Sequence, residues 1–312
     1  MLPDLSQPLF IVLAGIFVAL IVASAAVAWM QRRQPDKDHH ELAQRVRSWW
    51  VMVAIFSVAL LLGPLVTVVF LGLVSFLALK EYLSMIPTRR ADRRVLFWAY
   101  LAIPLQFYWV ADGWYGMFIV FIPVYLMLLL PLRMVLIGET DGFLRAVGTL
   151  FWGVMLTVFG LSHAAFLVAL PGTEGLPLEG AGLLLYLVML TQLNDVAQYI
   201  WGKTLGRRKI IPRVSPNKTW EGFIGGVLTT IVLAVLLAPW LTPMDLPASL
   251  LAGVIIGIGG FVGDVNMSAL KRDLGVKDSG TLIAGHGGIL DRVDSLSFTA
   301  PLFFHFVRYA FY

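Results

Sequence analysis

The stretch LFIVLAGIFVALIVASAAVAWM, residues 9–30, contains no charged side chain. A helix rises 1.5 Å per residue, so about 20 apolar residues cross the hydrocarbon core of a bilayer. The preceding residues 1–8 contain Asp4 but no Lys or Arg, so the basic segment of a signal peptide is missing. We therefore expect residues 9–30 to be a retained transmembrane helix.

The rest of the chain has the same apolar character. Of its 312 residues 59% are hydrophobic and 13% charged, against roughly 45–50% and about 25% in soluble domains. Further apolar runs lie at 49–63, 64–80, 95–111, 114–132, 147–170, 181–201, 223–243, 247–267 and 293–311. The sequence therefore predicts an all-α polytopic membrane protein with about ten transmembrane helices and no sizeable soluble domain.

The number of spans depends on residues 49–80. As one helix they would be about 48 Å long, well beyond one bilayer crossing. Gly63-Pro64 predicts a break into two short spans or a re-entrant pair. Counting two spans places all but one of the 23 Lys and Arg residues in loops on one side, the exception being Arg308. The positive-inside rule makes that side cytoplasmic, so we expect a multi-pass protein of the inner (plasma) membrane with both termini outside.

Polar residues that could take part in binding or catalysis are unevenly distributed along the chain. Residues 1–180 are predicted to form about six N-terminal spans with basic loops. Residues 181–312 are predicted to form a C-terminal catalytic region of about four spans, whose helices surround a polar active-site cavity that faces the cytoplasm. The chain has no Cys, which excludes disulfides and thiolate metal sites.

Four aspartates of the C-terminal region are candidate metal ligands. Asp195 and Asp264 lie in or at the ends of apolar runs, where a carboxylate is costly unless it is paired, hydrated or bound to metal. Asp291 and Asp294 are three residues apart at an expected helix start, so they share one helix face. Oxygen ligands without Cys suit Mg²⁺. The alternative is that Asp291 caps its helix and that the aspartates form salt bridges with Lys271, Arg272 or Arg292.

A glycine-rich segment precedes Asp291. Gly285, Gly287 and Gly288 surround His286, and glycines allow a tight backbone whose N–H groups converge on an anion. The start of the following helix also favours phosphate, and His286 could bind phosphate or act as an acid. The alternative is an ordinary turn.

A second polar segment precedes the run at 223–243. Ser215-Pro216 predicts the start of a helix, with Ser215 as N-cap and Pro216 in the first turn. That helix would present open amides and Lys218 to the cytoplasm, or place Lys218 on lipid head groups. Because the basic loops are short and lack interleaved aromatic residues, we exclude nucleic acid as a partner.

Residues 190–298 resemble the phosphatidate cytidylyltransferase family, also called CDP-diacylglycerol synthases. That family's signature is Ser-x-x-Lys-Arg, four residues, Lys-Asp, and then His-Gly-Gly-x-x-Asp-Arg-x-Asp. Here it is Ser268-Ala-Leu-Lys271-Arg272, Lys277-Asp278, and His286-Gly-Gly-Ile-Leu-Asp291-Arg292-Val-Asp294. The family's earlier Ser-Pro-x-Lys-Thr-x-Glu-Gly element matches Ser215 to Gly222, and the Asp of its preceding helix matches Asp195.

Three positions depart from the family pattern. Met267 stands where the family commonly has Glu, Ala284 where it usually has Pro, and Gln198 where a small residue is usual. The metal and phosphate elements are intact, so these departures bear on the lipid acceptor. The chain resembles a divergent branch of the family.

The resemblance implies Mg²⁺-dependent transfer of CMP from CTP to phosphatidate, giving CDP-diacylglycerol and pyrophosphate for phospholipid biosynthesis. A phosphate monoester is already a nucleophile, so the protein must mainly position the reactants and neutralise charge. The implied Mg²⁺ ligands are Asp264 and Asp291, supported by Asp195 and Asp294. The implied catalytic residues are Asp264, Asp291, Lys277 and His286. The implied substrate-binding residues are Ser215, Lys218, Ser268, Lys271, Arg272, Gly287, Gly288 and Arg292.

Other functions stay open. An ion-coupled transporter would use intramembrane carboxylates as ion or proton sites, but it predicts acids near the midplane and broken helices in two halves. A non-enzymatic paralogue could bind a lipid or a partner. A cytidylyltransferase could also act on another lipid phosphate, such as an isoprenoid phosphate. A homodimer is compatible with the sequence.

Overall fold

The structure is a computed structural model that describes residues 8–34, 39–171, 179–280, 282–283 and 287–312. Over these residues the chain forms ten continuous helices and no β-strand. They are α1 Pro8–Arg33, α2 His40–Leu61, α3 Pro64–Met85, α4 Arg93–Ala111, α5 Tyr115–Val135, α6 Phe143–Leu167, α7 Glu179–Leu205, α8 Trp220–Leu241, α9 Leu246–Asp273 and α10 Leu290–Phe311. Helices α5 and α6 each contain a π-helical segment, at Phe121–Leu126 and Met155–Gly160.

Each predicted apolar run coincides with one helix, which confirms the all-α polytopic architecture. Seven of the described helices are long and apolar enough to cross a membrane, by length and composition. The other three are α2, α4 and α10, each of which carries charged residues in its first turns. That these three also cross the bilayer stays a prediction.

The predicted break within residues 49–80 is confirmed. Helix α2 ends at Leu61 and α3 begins at Pro64, and Gly63 between them has a φ of 107°, a conformation that favours glycine. Pro64 has no N–H, so it removes one of the groups that lack a partner in a first helical turn. The Thr67 hydroxyl donates to the carbonyl oxygen of Ala59 at 2.9 Å, which ties the two helix ends together.

Helices α7 to α10 pack against one another in chain order, and the largely buried α6 lies against α3, α7 and α10. Glycines on such helices let backbones approach closely within lipid. At Gly263 on α9, a Cβ would lie 2.8 Å from the carbonyl oxygen of Asp294 and 2.9 Å from the Cα of Ser295 on α10. This close crossing brings Asp264, the next residue, against the start of α10.

The predicted helix start at Ser215 is wrong. Helix α8 begins at Trp220, and the Thr219 hydroxyl is its N-cap and accepts the N–H of Gly222 at 3.1 Å. The N–H of Lys218 instead donates to the carbonyl oxygen of Ser215 at 3.3 Å, which closes a β-turn with Pro216 in its second position. Proline has the same φ preference in a β-turn and in a first helical turn, so the dipeptide does not distinguish the two.

Candidate active site

A cavity of about 1490 Å³ lies where one set of helix ends meets. Its walls come from the first turns of α2, including Arg45 and Trp49, and from α7, the ends of α9 and α10, and the loops between them. These are the helix ends that the predicted basic loops connect. The four predicted metal ligands all line this cavity: Asp195, Asp264, Asp291 and Asp294.

Asp264 on α9 forms an ion pair with the loop residue Lys218. The Lys218 Nζ lies 2.5 Å from Asp264 Oδ2 and also donates to Gln198 Oε1 at 2.9 Å. The same ammonium group lies 5.7 Å from the centre of the Phe261 ring. The Ser268 hydroxyl, one turn along α9, is 3.5 Å from Asp264 Oδ1. Lys218 therefore neutralises Asp264 within the cavity wall.

Asp291 in the first turn of α10 has two kinds of partner. Its Oδ1 accepts from Lys271 Nζ at 2.9 Å, and its Oδ2 accepts the backbone N–H groups of Ser279 at 2.8 Å and Gly288 at 3.0 Å. The ion pair predicted as the alternative for Asp291 is therefore present, and its partner is Lys271. Asp291 also joins the two loop segments that precede α10.

Asp195 and Asp294 carry less compensated charge. Asp195 Oδ2 accepts from the Ser295 hydroxyl at 2.9 Å, while its Oδ1 is buried without a hydrogen-bond partner among the described residues. Asp294 Oδ1 accepts the N–H of Ser295 at 2.7 Å. Asp195, Asp264 and Asp294 line the same cavity, in which ionised carboxylates would repel one another. An added cation would relieve this repulsion.

The four aspartates suit one mode of metal binding. Within the described residues, no three His, Asp or Glu side chains are arranged to hold a metal ion by themselves. Mg²⁺, however, usually takes one or two carboxylates and completes its shell with substrate phosphates and water. The orphaned oxygen of Asp195, beside other carboxylates, is a suitable donor for such an ion. The cavity therefore fits a substrate-shared Mg²⁺, which stays a prediction.

Five further predicted residues line the cavity: Ser215, Lys218, Lys277, Gly287 and Arg292. Lys277 is exposed in the loop after α9. The guanidinium Nε of Arg292 is buried without a hydrogen-bond partner in the described part of the chain. Together with Lys218, these two basic side chains place positive charge beside the aspartates, as binding of a polyphosphate requires.

Four predicted substrate-binding residues do not line the cavity and instead have partners within the protein: Ser268, Lys271, Arg272 and Gly288. Arg272 donates from Nε to the carbonyl oxygen of Val214 at 3.3 Å, and Lys271 pairs with Asp291. The N–H of Gly288, expected to be open to phosphate, donates to Asp291. His286 lies outside the described residues, so its predicted role is unaffected.

Glu81 at the end of α3 is a site residue that the sequence did not indicate. Its carboxylate accepts the N–H of Ile289 at 3.0 Å, the N–H of Leu290 at 2.8 Å and the hydroxyl of Ser279 at 3.2 Å. The first N–H groups of a helix lack partners within it, and a carboxylate there is also favoured by the helix dipole. In the sequence, Lys80-Glu81 at the end of an apolar run shows only that the chain reaches water.

Fold and site together define a multi-pass membrane protein with a cavity lined by both acidic and basic side chains. Sequence comparison gives this class a family. The profile of the cytidylyltransferase family matches residues 43–310, and the chain belongs to that family. The membership predicted from the residue 190–298 motifs is confirmed.

Individual relatives agree with this assignment. The chain is 47% identical over 301 residues to the uncharacterised protein YnbB of Escherichia coli strain K12, covering 96% of this chain and 98% of that protein. It is 31% identical over 262 residues to a phosphatidate cytidylyltransferase of Staphylococcus haemolyticus, covering 83% and 96%. It is 39% identical over 142 residues to a phosphatidate cytidylyltransferase of Haemophilus influenzae, covering 42% and 47%.

Proposed function

We propose that the protein transfers CMP from CTP to phosphatidate, giving CDP-diacylglycerol and pyrophosphate, at the cytoplasmic face of the inner membrane. The observation that carries the proposal is the single cavity in which four aspartates meet Lys218, Lys277 and Arg292. Membership of the cytidylyltransferase family supports the nucleotidyl transfer. The names of the relatives from Staphylococcus and Haemophilus support phosphatidate as the acceptor.

The proposed reaction makes modest chemical demands on the residues. A phosphate oxygen of the lipid attacks the α-phosphorus of CTP. The bond between the α-phosphorus and the oxygen that bridges to the β-phosphorus breaks, and pyrophosphate leaves. Lys277 and Arg292 would orient the triphosphate and offset its charge, which is the main requirement for transfer between phosphates. Mg²⁺ held by Asp264 and Asp291, with Asp195 and Asp294 in support, would neutralise further phosphate charge when bound.

The position of the cavity matches two substrates from different phases. CTP arrives from water, whereas the acyl chains of the acceptor stay in lipid. The cavity lies at helix ends, and its α2 wall contains the apolar side chains of Leu42, Val46 and Trp49 next to Arg45. The exposed basic loop 207–209 would attract anionic lipid to the same face.

A second candidate keeps the chemistry and changes the acceptor lipid. Gln198 stands in the cavity wall where the family usually has a small residue, and its side-chain oxygen holds Lys218. A bulkier wall beside Lys218 favours an acceptor head of different shape. The transporter alternative predicts sites in two corresponding halves of the chain, whereas all four aspartates lie in α7, α9 and α10 and line one cavity.

The proposal is tested with purified protein in nanodiscs that contain phosphatidate. With Mg²⁺ and CTP labelled at the α-phosphate, we expect label in the lipid; with the γ-phosphate labelled, we expect label only in released pyrophosphate. Nanodiscs containing an isoprenoid phosphate distinguish the second candidate. Absence of lipid labelling with every phosphate acceptor, from protein that retains its thermal unfolding transition, refutes cytidylyl transfer.

A further inference from the structure

We propose that Glu81 is a positioning residue, which holds in place the loop that contains the proposed triphosphate-binding residue Lys277. The inference rests on the proposed function and adds a residue from the N-terminal half of the chain to the site. Glu81 does not line the cavity, so it acts through the loop segments that do. These are residues 277–280 and 287–290, called here the two loop segments.

The contacts of Glu81 span both loop segments. Its Oε2 accepts from the Ser279 hydroxyl in the first segment and from the N–H of Leu290 in the second, and its Oε1 accepts the N–H of Ile289. One carboxylate thus fixes the loop that follows α9 to the start of α10. Hydrogen bonds to a charged acceptor are stronger than those between neutral groups.

Asp291 bridges the same two segments through different atoms. It accepts the N–H of Ser279 and the N–H of Gly288, so Ser279 is held by Asp291 through its backbone and by Glu81 through its hydroxyl. The two carboxylates fix one loop arrangement. Lys277 and Asp278 directly precede Ser279 and line the cavity, so their positions depend on that arrangement.

Close packing around Glu81 confirms that the segments are built against it. A Cβ at Gly280 would lie 3.2 Å from Glu81 Oε1, and a Cβ at Gly288 would collide with Glu81 Oε2 and the Ser279 hydroxyl. Both glycines therefore let the backbone close over this carboxylate. The neighbouring Gly287, which lines the cavity, has a φ of 78° that a residue with a side chain rarely adopts.

The test compares variants at the end of α3. Glu81→Gln keeps the shape but replaces one acceptor oxygen with an NH₂ group, which faces a backbone N–H. We expect its KM for CTP to rise about tenfold, the lower range for losing a hydrogen bond to a charged group, with its KM for phosphatidate unchanged. Glu81→Asp keeps both oxygens on a shorter side chain and should recover part of the loss. Ser84→Ala is the matched control, since the Ser84 hydroxyl donates to the backbone carbonyl oxygen of Glu81 rather than to its carboxylate.

Hydrogen exchange measured by mass spectrometry supplies a readout that needs no activity. In Glu81→Gln, peptides containing Ser279 or Ile289-Leu290 should exchange faster than in the wild type, and Ser84→Ala should leave them unchanged. If Glu81→Gln does not fold, Ser279→Ala removes one of the same bonds and should raise the KM for CTP in the same direction by a smaller factor.

Two results overturn the inference. In the first, Glu81→Gln has the same hydrogen exchange and the same KM for CTP as the wild type. In the second, Glu81→Gln raises the KM for CTP and the KM for phosphatidate equally and also lowers the melting temperature. The second result would make Glu81 a general stability residue. Failure of the wild-type protein to label lipid would refute the proposed function, and the exchange experiment would still decide whether Glu81 orders the loop.

Discussion

The substitution Asp264→Asn removes a charge from the cavity while almost preserving its shape. The Asp264–Lys218 pair has side-chain exposures of 25% and 19%, and Lys218 keeps the oxygen of Gln198 at 2.9 Å when the carboxylate is gone. An ion pair that water reaches contributes up to about 1 kcal/mol. The free energy of unfolding should therefore fall by no more than about 1 kcal/mol.

Asp291→Asn is expected to behave differently. The pair with Lys271 is more buried, at 6% and 14% exposure, and Asp291 also accepts two backbone N–H groups. One Asn oxygen can keep those two bonds, but its NH₂ group then faces the Lys271 ammonium. Removing one partner of a buried pair costs about 3 kcal/mol, so this variant should lose stability as well as activity.

Turnover of labelled CTP at saturating substrate and varied Mg²⁺, together with thermal unfolding, separates these effects. For Asp264→Asn we expect turnover to fall at least about 100-fold, because the cation that Asp264 would hold, and that would offset charge in the transition state, binds less well; the melting temperature should change little. Glu41→Gln is the control, because Glu41 lines the same cavity but is exposed. Near-normal turnover in Asp264→Asn, or an equal loss in Glu41→Gln, would refute the reasoning.

Four further outcomes are expected. Lys277→Ala should raise the KM for CTP about tenfold with unchanged melting temperature, since Lys277 is exposed; a loss of folded protein with normal kinetics would contradict this. Chelation of divalent cations should stop lipid labelling and added Mg²⁺ should restore it; full activity in excess chelator would exclude Mg²⁺. Gly288→Ala should lower the free energy of unfolding by about 2 kcal/mol through the collision with Glu81, measured by thermal denaturation. Because the chain has no Cys, a single introduced cysteine is its only thiol. An impermeant thiol reagent added to intact cells should label Trp114→Cys and should not label Arg208→Cys. The reverse pattern would show that the predicted topology is inverted.

The architecture was predictable because lipid imposes strong conditions on sequence. Each span needs a long apolar run, and the break at Gly63-Pro64 uses two residues with special backbone preferences. The aspartates could be singled out because a carboxylate within or at the end of an apolar run needs a partner, water or a metal ion. Both arguments act locally along the chain: the predicted helices are confirmed, the four aspartates line one cavity, and their role as metal ligands stays a prediction.

The remaining features depend on contacts distant in sequence. Glu81 lies 198 residues before Ser279, and nothing near it indicates a helix start as its partner. The sequence did not decide which basic residue pairs with Asp264 and which with Asp291, because several are available to each. Ser215-Pro216 was misassigned because a β-turn and a helix start favour the same dipeptide, and the pairing of residues 208–210 with 218–220 decides for the turn.

The two lysine–aspartate pairs should couple the binding of a divalent cation to the binding of a nucleotide. A divalent cation that takes Asp264 or Asp291 sets an ammonium group free, and a nucleotide that recruits the ammonium groups sets carboxylates free. The cation therefore frees ammonium groups for the nucleotide, and the nucleotide frees carboxylates for the cation. By thermodynamic linkage, each ligand should bind more tightly when the other is bound. CTP bound to magnesium would deliver both at once, to a cavity in which Asp264 is otherwise paired with Lys218 and Asp291 with Lys271.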